Sequence, residues 1–292
     1  MADRFAVIIV CLTALTGLVW LADVLWRRFH GRGKPDPDRR GGWRWFADTC
    51  RGFFPLILAV LLIRSFVAEP FHVPSGSLMP TVYVGDFVIA EKFAYGLRLP
   101  VTNTQIIPTG TPERGDIFVF RFPEKSAQKF CRAHPACLRR GGEERLRAFA
   151  GTHFIKRVIG LPGDRIKYTC DNQLFINGRK VRREYLGIFH GTGRESKFNG
   201  AEVWREYLPQ EDGTIVQHKI LLHPQRPTKC GTWVVPQGEY FAMGDNRDNS
   251  EDSRYWGSVP RDHLVGRANL VLFNFQGWDE WPLWGRIGTI MN

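Results

Sequence analysis

Glu69-Pro70-Phe71-His72-Val73-Pro74-Ser75-Gly76-Ser77-Leu78-Met79-Pro80-Thr81 is the stretch on which the reading of this chain turns. Prolines at both ends of 69–74 argue against a helix and for an extended edge segment, because proline lacks the N–H that a helix interior or a central strand requires. An apolar run ends just before it, and short apolar runs separated by glycines and prolines follow. Within it, Ser75 and Ser77 flank Gly76, and prolines bracket the group. A serine at a rigid, glycine-loosened bend can present its hydroxyl as a nucleophile, but a free hydroxyl is a weak one and needs a base beside it. A base, an oxyanion site and a reason to sit at a membrane are what the remaining residues must supply.

Upstream, Phe5 to Trp26 is apolar. It is long enough for a hydrocarbon core of roughly 30 Å, which takes about 20 residues. The run exceeds the apolar core of a secretory signal peptide and ends in Arg27 and Arg28, which favours a retained helix over a cleaved one. Asp23 is expected at headgroup depth. A polar linker follows to Arg51, with Pro35, Pro37 and eight basic residues from Arg27 to Arg51. A second, shorter apolar run over 53–68 contains Pro55 and has Arg64 near its far end, placed to snorkel. Lysines and arginines beside span ends favour the cytoplasmic side. Residues 1–68 therefore read as a two-span membrane anchor with a basic cytoplasmic loop, and 69–292 as an outer-side catalytic region.

The 292 residues allow one large or two ordinary domains, and the formal charge is +11. Nucleic acid, anionic headgroups and a plain solvated surface compete to explain such a charge; the apolar spans favour the membrane. No nucleic-acid motif, heptad series or internal repeat is present. Thirty glycines and eighteen prolines among short apolar runs predict a mainly β fold outside the membrane.

That fold is expected to be mostly antiparallel, with a core over about 69–123, 151–168 and 238–275, a charged insertion over 124–150, and a smaller inserted β region over about 169–237. Strand character is read for Thr81 to Phe93, Asp116 to Phe122, His153 to Gly160, Thr232 to Met243 and Leu264 to Phe275. Arg165 to Val181 reads as a hairpin with Asn177-Gly178 at a two-residue turn. Trp278, Trp281 and Trp284 form a cluster that is either core or rests at a lipid interface, with equal weight.

Period two puts Lys156 on one strand face with Phe154 and Val158. Apolar neighbours desolvate an amine and lower its pKa, and a neutral amine can take a serine proton. Gly244 to Arg254 is a polar loop held by its own hydrogen bonds. As a calcium loop it fails: counting from Asp245, Arg247 occupies the third position and Ser250 the sixth, where a ligand and a glycine are needed. Asp252 and Arg254 can pair, and Ser250 can sit beside a buried amine. No zinc pattern of Cys and His appears, and no metal is expected.

Three motifs in this order, Ser75 to Thr81, Lys156 to Asp164 and Gly244 to Arg254, resemble type I signal peptidase, the leader peptidase of the bacterial inner membrane. The resemblance covers Phe53 to Pro123, His153 to Asp164 and Tyr240 to Ala268, and is poor over 124–150 and 183–230. It implies that Ser77 is the nucleophile and Lys156 the general base. It implies that Ser75 and the Ser77 N–H serve the oxyanion, that Ser250 orients the lysine, and that Asp252 and Arg254 brace the loop. Leu78 replaces a usual methionine, a near-isosteric change. The implied substrates are preprotein signal peptides, which add as a strand beside the enzyme and are cut after small residues of Ala-x-Ala type. Phe71, Val73, Leu78 and Val82 are the candidate pocket residues. No cofactor is implied; the bilayer is a partner, the translocation machinery a candidate one, and nucleic acid is not. The implied location is the inner membrane, multi-pass, with the catalytic region in the periplasm.

A self-cleaving Ser-Lys repressor type lacks spans, and the penicillin-binding type needs Lys three residues after serine, where Pro80 stands. A peptide-binding β domain without catalysis, or an assembly subunit with a decayed site, would not need both Ser77 and Lys156 in intact motifs. Of six cysteines, Cys131, Cys137, Cys170 and Cys230 lie in the outer region, where disulfides are permitted. Cys131–Cys137 with Cys170–Cys230 is one of three connectivities, and all three remain open.

Overall fold

The computed structural model describes residues 4–29, 42–102, 104–126, 128, 151–277 and 282–291. The chain divides into two units, Met1–Glu69 with Leu97–Ile107, and Pro70–Gly96 with Pro108–Asn292.

The first unit holds helices α1 (Arg4–Phe29) and α2 (Gly42–Leu62), the latter continued by a wider turn over Ile63–Val67. Both are long and apolar enough to cross a membrane, over Phe5–Trp26 and Trp45–Val67. The helices meet where Gly17 lets Phe54 approach and the Trp20 ring stacks on Phe54 at 5.5 Å. The second helix starts at Gly42, not Phe53, so part of the expected linker is helical. Ala47 and Cys50, three apart, share a face and are buried, which extends the apolar stripe backwards. Arg64 does not simply snorkel: it pairs with Glu69 at 2.6 Å and lies 4.1 Å over the Phe5 ring.

The strands are β1 (Ala68–His72), β2 (Asp86–Glu91), β3 (Leu97–Arg98), β4 (Gln105–Ile107), β5 (Ile117–Arg121), β6 (His153–Gly160), β7 (Arg165–Tyr168) and β8 (Leu174–Ile176). They continue as β9 (Arg179–Lys180), β10 (Arg182–Ile188), β11 (Glu202–Pro209), β12 (Ile215–Leu222), β13 (Gly231–Val234), β14 (Glu239–Met243), β15 (Val259–Pro260) and β16 (Leu264–Asn274). The main sheet has the order β1-β2-β16-β5-β6-β14-β15. From β2 to β15 its neighbouring strands pair antiparallel, and β16 carries bulges that bend it. In β5, Ile117 and Val119 enter one core while Phe118 and Phe120 enter another. A strand buried on both faces reads as a continuous apolar run, which is what Ile117-Phe118-Val119-Phe120 is.

The inserted region is two sheets, not one: β10-β11-β12 and β13-β7-β8-β9. Arg165 to Val181 is a three-strand meander, because Thr169 to Gln173 makes a turn of its own before Asn177-Gly178 makes the second. Asn177 and Gly178 both have positive φ, as a two-residue hairpin turn of this kind requires. Thr232 to Met243 is likewise not one strand. Pro236-Gln237-Gly238 breaks it, sending β13 to β7 and β14 to β6. Thr81 to Phe93 is a strand only from Asp86, since 78–81 is folded into turns ahead of it.

Cys170 is bonded to Cys230 across the end of the β7–β13 pair, with Cα atoms 5.0 Å apart. Cys131, Cys137 and most of the 124–150 insertion lie outside the described residues, as do Trp278 and Trp281; Trp284 is exposed in a short turn.

Candidate active site

Ser77 and Lys156 come from segments 79 residues apart, and their Oγ and Nζ atoms lie 2.7 Å from each other. Ser77 sits in a turn that starts just beyond the extended β1 segment, where Met79 N–H donates to the Gly76 carbonyl and Val82 N–H to that of Leu78. Lys156 is central in β6. Phe154 and Val158, its neighbours of the same strand parity, belong to the aromatic core, and the Phe154 ring centroid is 5.9 Å from the amine. Nζ also donates to the Ile155 carbonyl at 3.1 Å.

Burial lowers the Lys156 pKa from 10.5 to about 8, while Asp252, Asp245 and Glu251 oppose the fall. The neighbouring charges explain why burial wins. Arg157 binds Asp245 (Nε–Oδ1 2.9 Å, Nη2–Oδ2 2.9 Å), Arg254 binds Asp252 (2.8 and 2.9 Å), and Arg247 binds Glu206. Each arginine has its own carboxylate, whereas among the described residues no carboxylate is hydrogen-bonded to Lys156. Burial disfavours ionisation of Asp245 and Asp252, but Arg157 and Arg254, with the hydrogen bonds they donate, hold both carboxyls below the usual range. Burial, then Arg157, depress His218, which sits between Glu206 Oε2 (3.4 Å) and Asp245 Oδ1 (3.9 Å).

The loop after β14 closes over Ser77. Asn246 N–H donates to the Ser77 carbonyl and Asn246 Nδ2 to that of Gly76, both at 3.0 Å. Asp252 accepts the Gly244 N–H at 3.0 Å, so the Asp252–Arg254 pair braces the loop from within. Gly244 is required by space: a Cβ there would lie 2.2 Å from Ser250 Oγ and 2.5 Å from the Ser77 carbonyl oxygen. The same holds at Gly76, where a Cβ would lie 2.4 Å from the Phe198 ring. Ser77 N–H has no acceptor among the described residues.

Residues 46–273 match the family model described as signal peptidase, peptidase S26. The chain belongs to that signal peptidase family. It is 40% identical over 244 residues to signal peptidase I of Pseudomonas fluorescens, covering 80% of this chain and 72% of the relative. To signal peptidase I of Pseudomonas aeruginosa it is 36% identical over 301 residues, covering 97% and 94%. A solved signal peptidase I from Enterococcus faecalis V583 covers 54% of this chain and 96% of its own at 24% identity, with a TM-score of 0.29. Membership rests on the sequence matches, and it makes the protein a serine endopeptidase.

In this signal peptidase the other residues singled out from the sequence are distributed as follows. Ser75 is exposed, with Oγ 3.5 Å from Ser77 Oγ. Ser250 is buried beside Gly244, and among the described residues its hydroxyl has no hydrogen-bond partner, so this structure does not join it to Lys156. Of the four pocket candidates, only Phe71 keeps partial exposure. Val73, Leu78 and Val82 are packed into the core beneath the site, because they point back under the turn. Sequence reasoning missed Thr81, Arg157, Glu206, His218 and Asn246. Arg157 had a signal: strand alternation turns it away from the face that carries Lys156, and a cation there needs an anion such as Asp245.

Proposed function

We propose that the protein removes N-terminal signal peptides from secreted preproteins with Ser77 as nucleophile and Lys156 as general base, through an acyl-enzyme. The observation that carries this reading is the 2.7 Å approach of the two groups in an apolar setting where, among the described residues, no carboxylate is hydrogen-bonded to the amine. Neutral Lys156 takes the Ser77 proton as Oγ attacks the scissile carbonyl. The Ser77 N–H, without an acceptor among the described residues, and the Ser75 hydroxyl, 3.5 Å from Ser77 Oγ, serve the developing oxyanion in this reading, each such donor being worth roughly 3 to 4 kcal/mol in the transition state. Protonated Lys156 then gives its proton to the leaving amine, the acyl group remains on Ser77, and water activated by the same amine releases it.

The substrate adds alongside β1, the edge strand of the main sheet, by backbone hydrogen bonds. Shallow pockets near Phe71 admit small side chains at the first and third positions before the cut, giving Ala-x-Ala preference. Ser250, buried beside Gly244 but not bonded to Lys156 in this structure, is the hydroxyl that would turn to the amine once the substrate is bound, and Asp252–Arg254 keeps the loop in place. Residues 1–68 anchor the chain through two spans with the basic loop inside, and 69–292 work on the periplasmic side beside the translocation machinery. No metal or organic cofactor takes part in the proposed steps.

Detergent-solubilised protein incubated with a preprotein tests this. Wild type cuts once after the signal peptide, while Ser77→Ala and Lys156→Ala remain folded and do not cut. Full cleavage by Lys156→Ala refutes the base assignment, and cleavage by Ser77→Ala refutes the nucleophile.

A further inference from the structure

The segment after Pro282 is threaded onto the main sheet at the place where the nucleophile turn rests. Strand β5 covers β16 only over Leu264–Arg267. The side left open farther along β16 is taken by 288–291: Gly288 N–H donates to the Val271 carbonyl, Val271 N–H to that of Thr289, and Met291 N–H to that of Asn269. Met291 is buried in the same core cluster as Leu78 and Val82.

Arg286 makes the polar half of this attachment. Its guanidinium grips Asp86, with Nε 2.9 Å from Oδ1 and Nη2 2.5 Å from Oδ2, and Nη2 also donates to the Thr81 carbonyl at 3.0 Å. It lies 4.1 Å over the Tyr83 ring. Asp86 is fully buried and also accepts from Tyr83 N–H and Asn274 Nδ2. Thr81, whose carbonyl Arg286 holds, donates its hydroxyl to Asp245 Oδ2 at 2.6 Å and its N–H to the Leu78 carbonyl at 2.9 Å. Asn246, next to Asp245, in turn donates to the Ser77 carbonyl. Hydrogen bonds and the Asp245–Asn246 peptide link thus run in series from Arg286 through Thr81 and the polar loop to Ser77.

We infer that residues 284–291 form a strap that sets the nucleophile turn against the polar loop, with Arg286 as its positioning residue. The inference rests on Ser77 being the nucleophile. One fork spans a carboxylate and a carbonyl, a geometry that an ammonium does not reproduce. Loss of the fork lets the turn shift, and a displacement of about 1 Å at a reacting group costs about a hundredfold in rate.

The test uses the full chain in detergent with a preprotein substrate, for Arg286→Gln, Arg286→Lys and Met291→Ala. Arg286→Gln lowers kcat by about ten- to a hundredfold while KM stays within about threefold. Arg286→Lys keeps a charge beside Asp86 and stays folded, yet its kcat remains several-fold low. Met291→Ala frees the apolar end of the same strap, so it lowers the unfolding midpoint and lowers kcat of the folded protein in the same direction as Arg286→Gln. Either Arg286 variant working within twofold of wild type overturns the inference, as does a kcat loss that merely follows the unfolded fraction. Ser77→Ala in the same assay keeps the two ideas apart: if it cuts, the nucleophile assignment fails whatever the Arg286 variants do.

Discussion

Arg157 and Asp245 hold each other through two hydrogen bonds of 2.9 Å, both side chains essentially without solvent contact. The pair joins β6, which carries Lys156, to the loop that closes on Ser77, and Arg157 Nη1 adds a 2.7 Å bond to the Gly115 carbonyl. Removing one member leaves a buried charge alone, which typically costs about 3 to 5 kcal/mol. Asp245→Ala should lower the unfolding free energy by that order, read from urea denaturation. The double variant Arg157→Met/Asp245→Leu should recover much of the loss. A change under about 1 kcal/mol for the single variant would contradict the role given to this pair.

With Lys156 as the proposed base, its titration sets the expected pH profile. With a pKa of about 8, the ammonium dominates below pH 8 and cannot accept a proton, so kcat/KM should climb through an inflection near pH 8. Stability moves the same way for this group. The unfolded lysine has a pKa of about 10.4. Between about 8 and that value the unfolded chain binds more protons, so the contribution of Lys156 to stability rises with pH across this window. A rate flat from pH 6 to 10 under non-limiting substrate release would remove the neutral amine from the mechanism.

Gly76 and Phe198 make a steric prediction. Adding one methyl at Gly76 drives it into the Phe198 ring, and such overpacking typically costs about 1 to 3 kcal/mol. Gly76→Ala should therefore lose stability and activity together, and Phe198→Leu in the same chain should restore part of both. Thermal unfolding and preprotein cleavage of the three proteins decide it; no recovery in the double variant means another contact is responsible.

The Cys170–Cys230 bond closes a loop of sequence separation 60. Cross-links of this kind typically contribute about 2 to 4 kcal/mol, chiefly by restricting the unfolded chain. Beside it, Tyr168 lies under the Arg254 and Arg247 guanidinium groups at 5.0 and 5.9 Å, which ties the cross-linked end of β7 to the braced loop. Cys170→Ser/Cys230→Ser should lower the unfolding midpoint under oxidising conditions and match the wild type treated with reductant. Equal midpoints for wild type with and without reductant would show that the bond does not stabilise the fold.

Local features of this chain were the most readable from its sequence. The alternation around Lys156 and the bend at Ser75-Gly76-Ser77 depend on a few neighbouring residues, and their meeting was implied only by the resemblance of the three motifs to type I signal peptidase. The long-range partners were not readable. Nothing near Arg286 in sequence announces Asp86 or Thr81, and nothing in β11 announces that Glu206 will neutralise Arg247. Boundaries failed for a related reason. The apolar run that begins at Phe53 suggested a late start for the second helix, yet packing of Ala47 and Cys50 extends it to Gly42. Val73, Leu78 and Val82 suggested a pocket lining because side-chain chemistry alone does not tell which way a turn faces.

Covalent trapping tests the central claim most directly. A preprotein reaction with the full-length enzyme is quenched in acid during the pre-steady state, digested and weighed by mass spectrometry. The account predicts an acyl adduct on the peptide that contains Ser77, absent from Lys156→Ala. An adduct on another residue, or turnover that continues in Ser77→Ala, would contradict it.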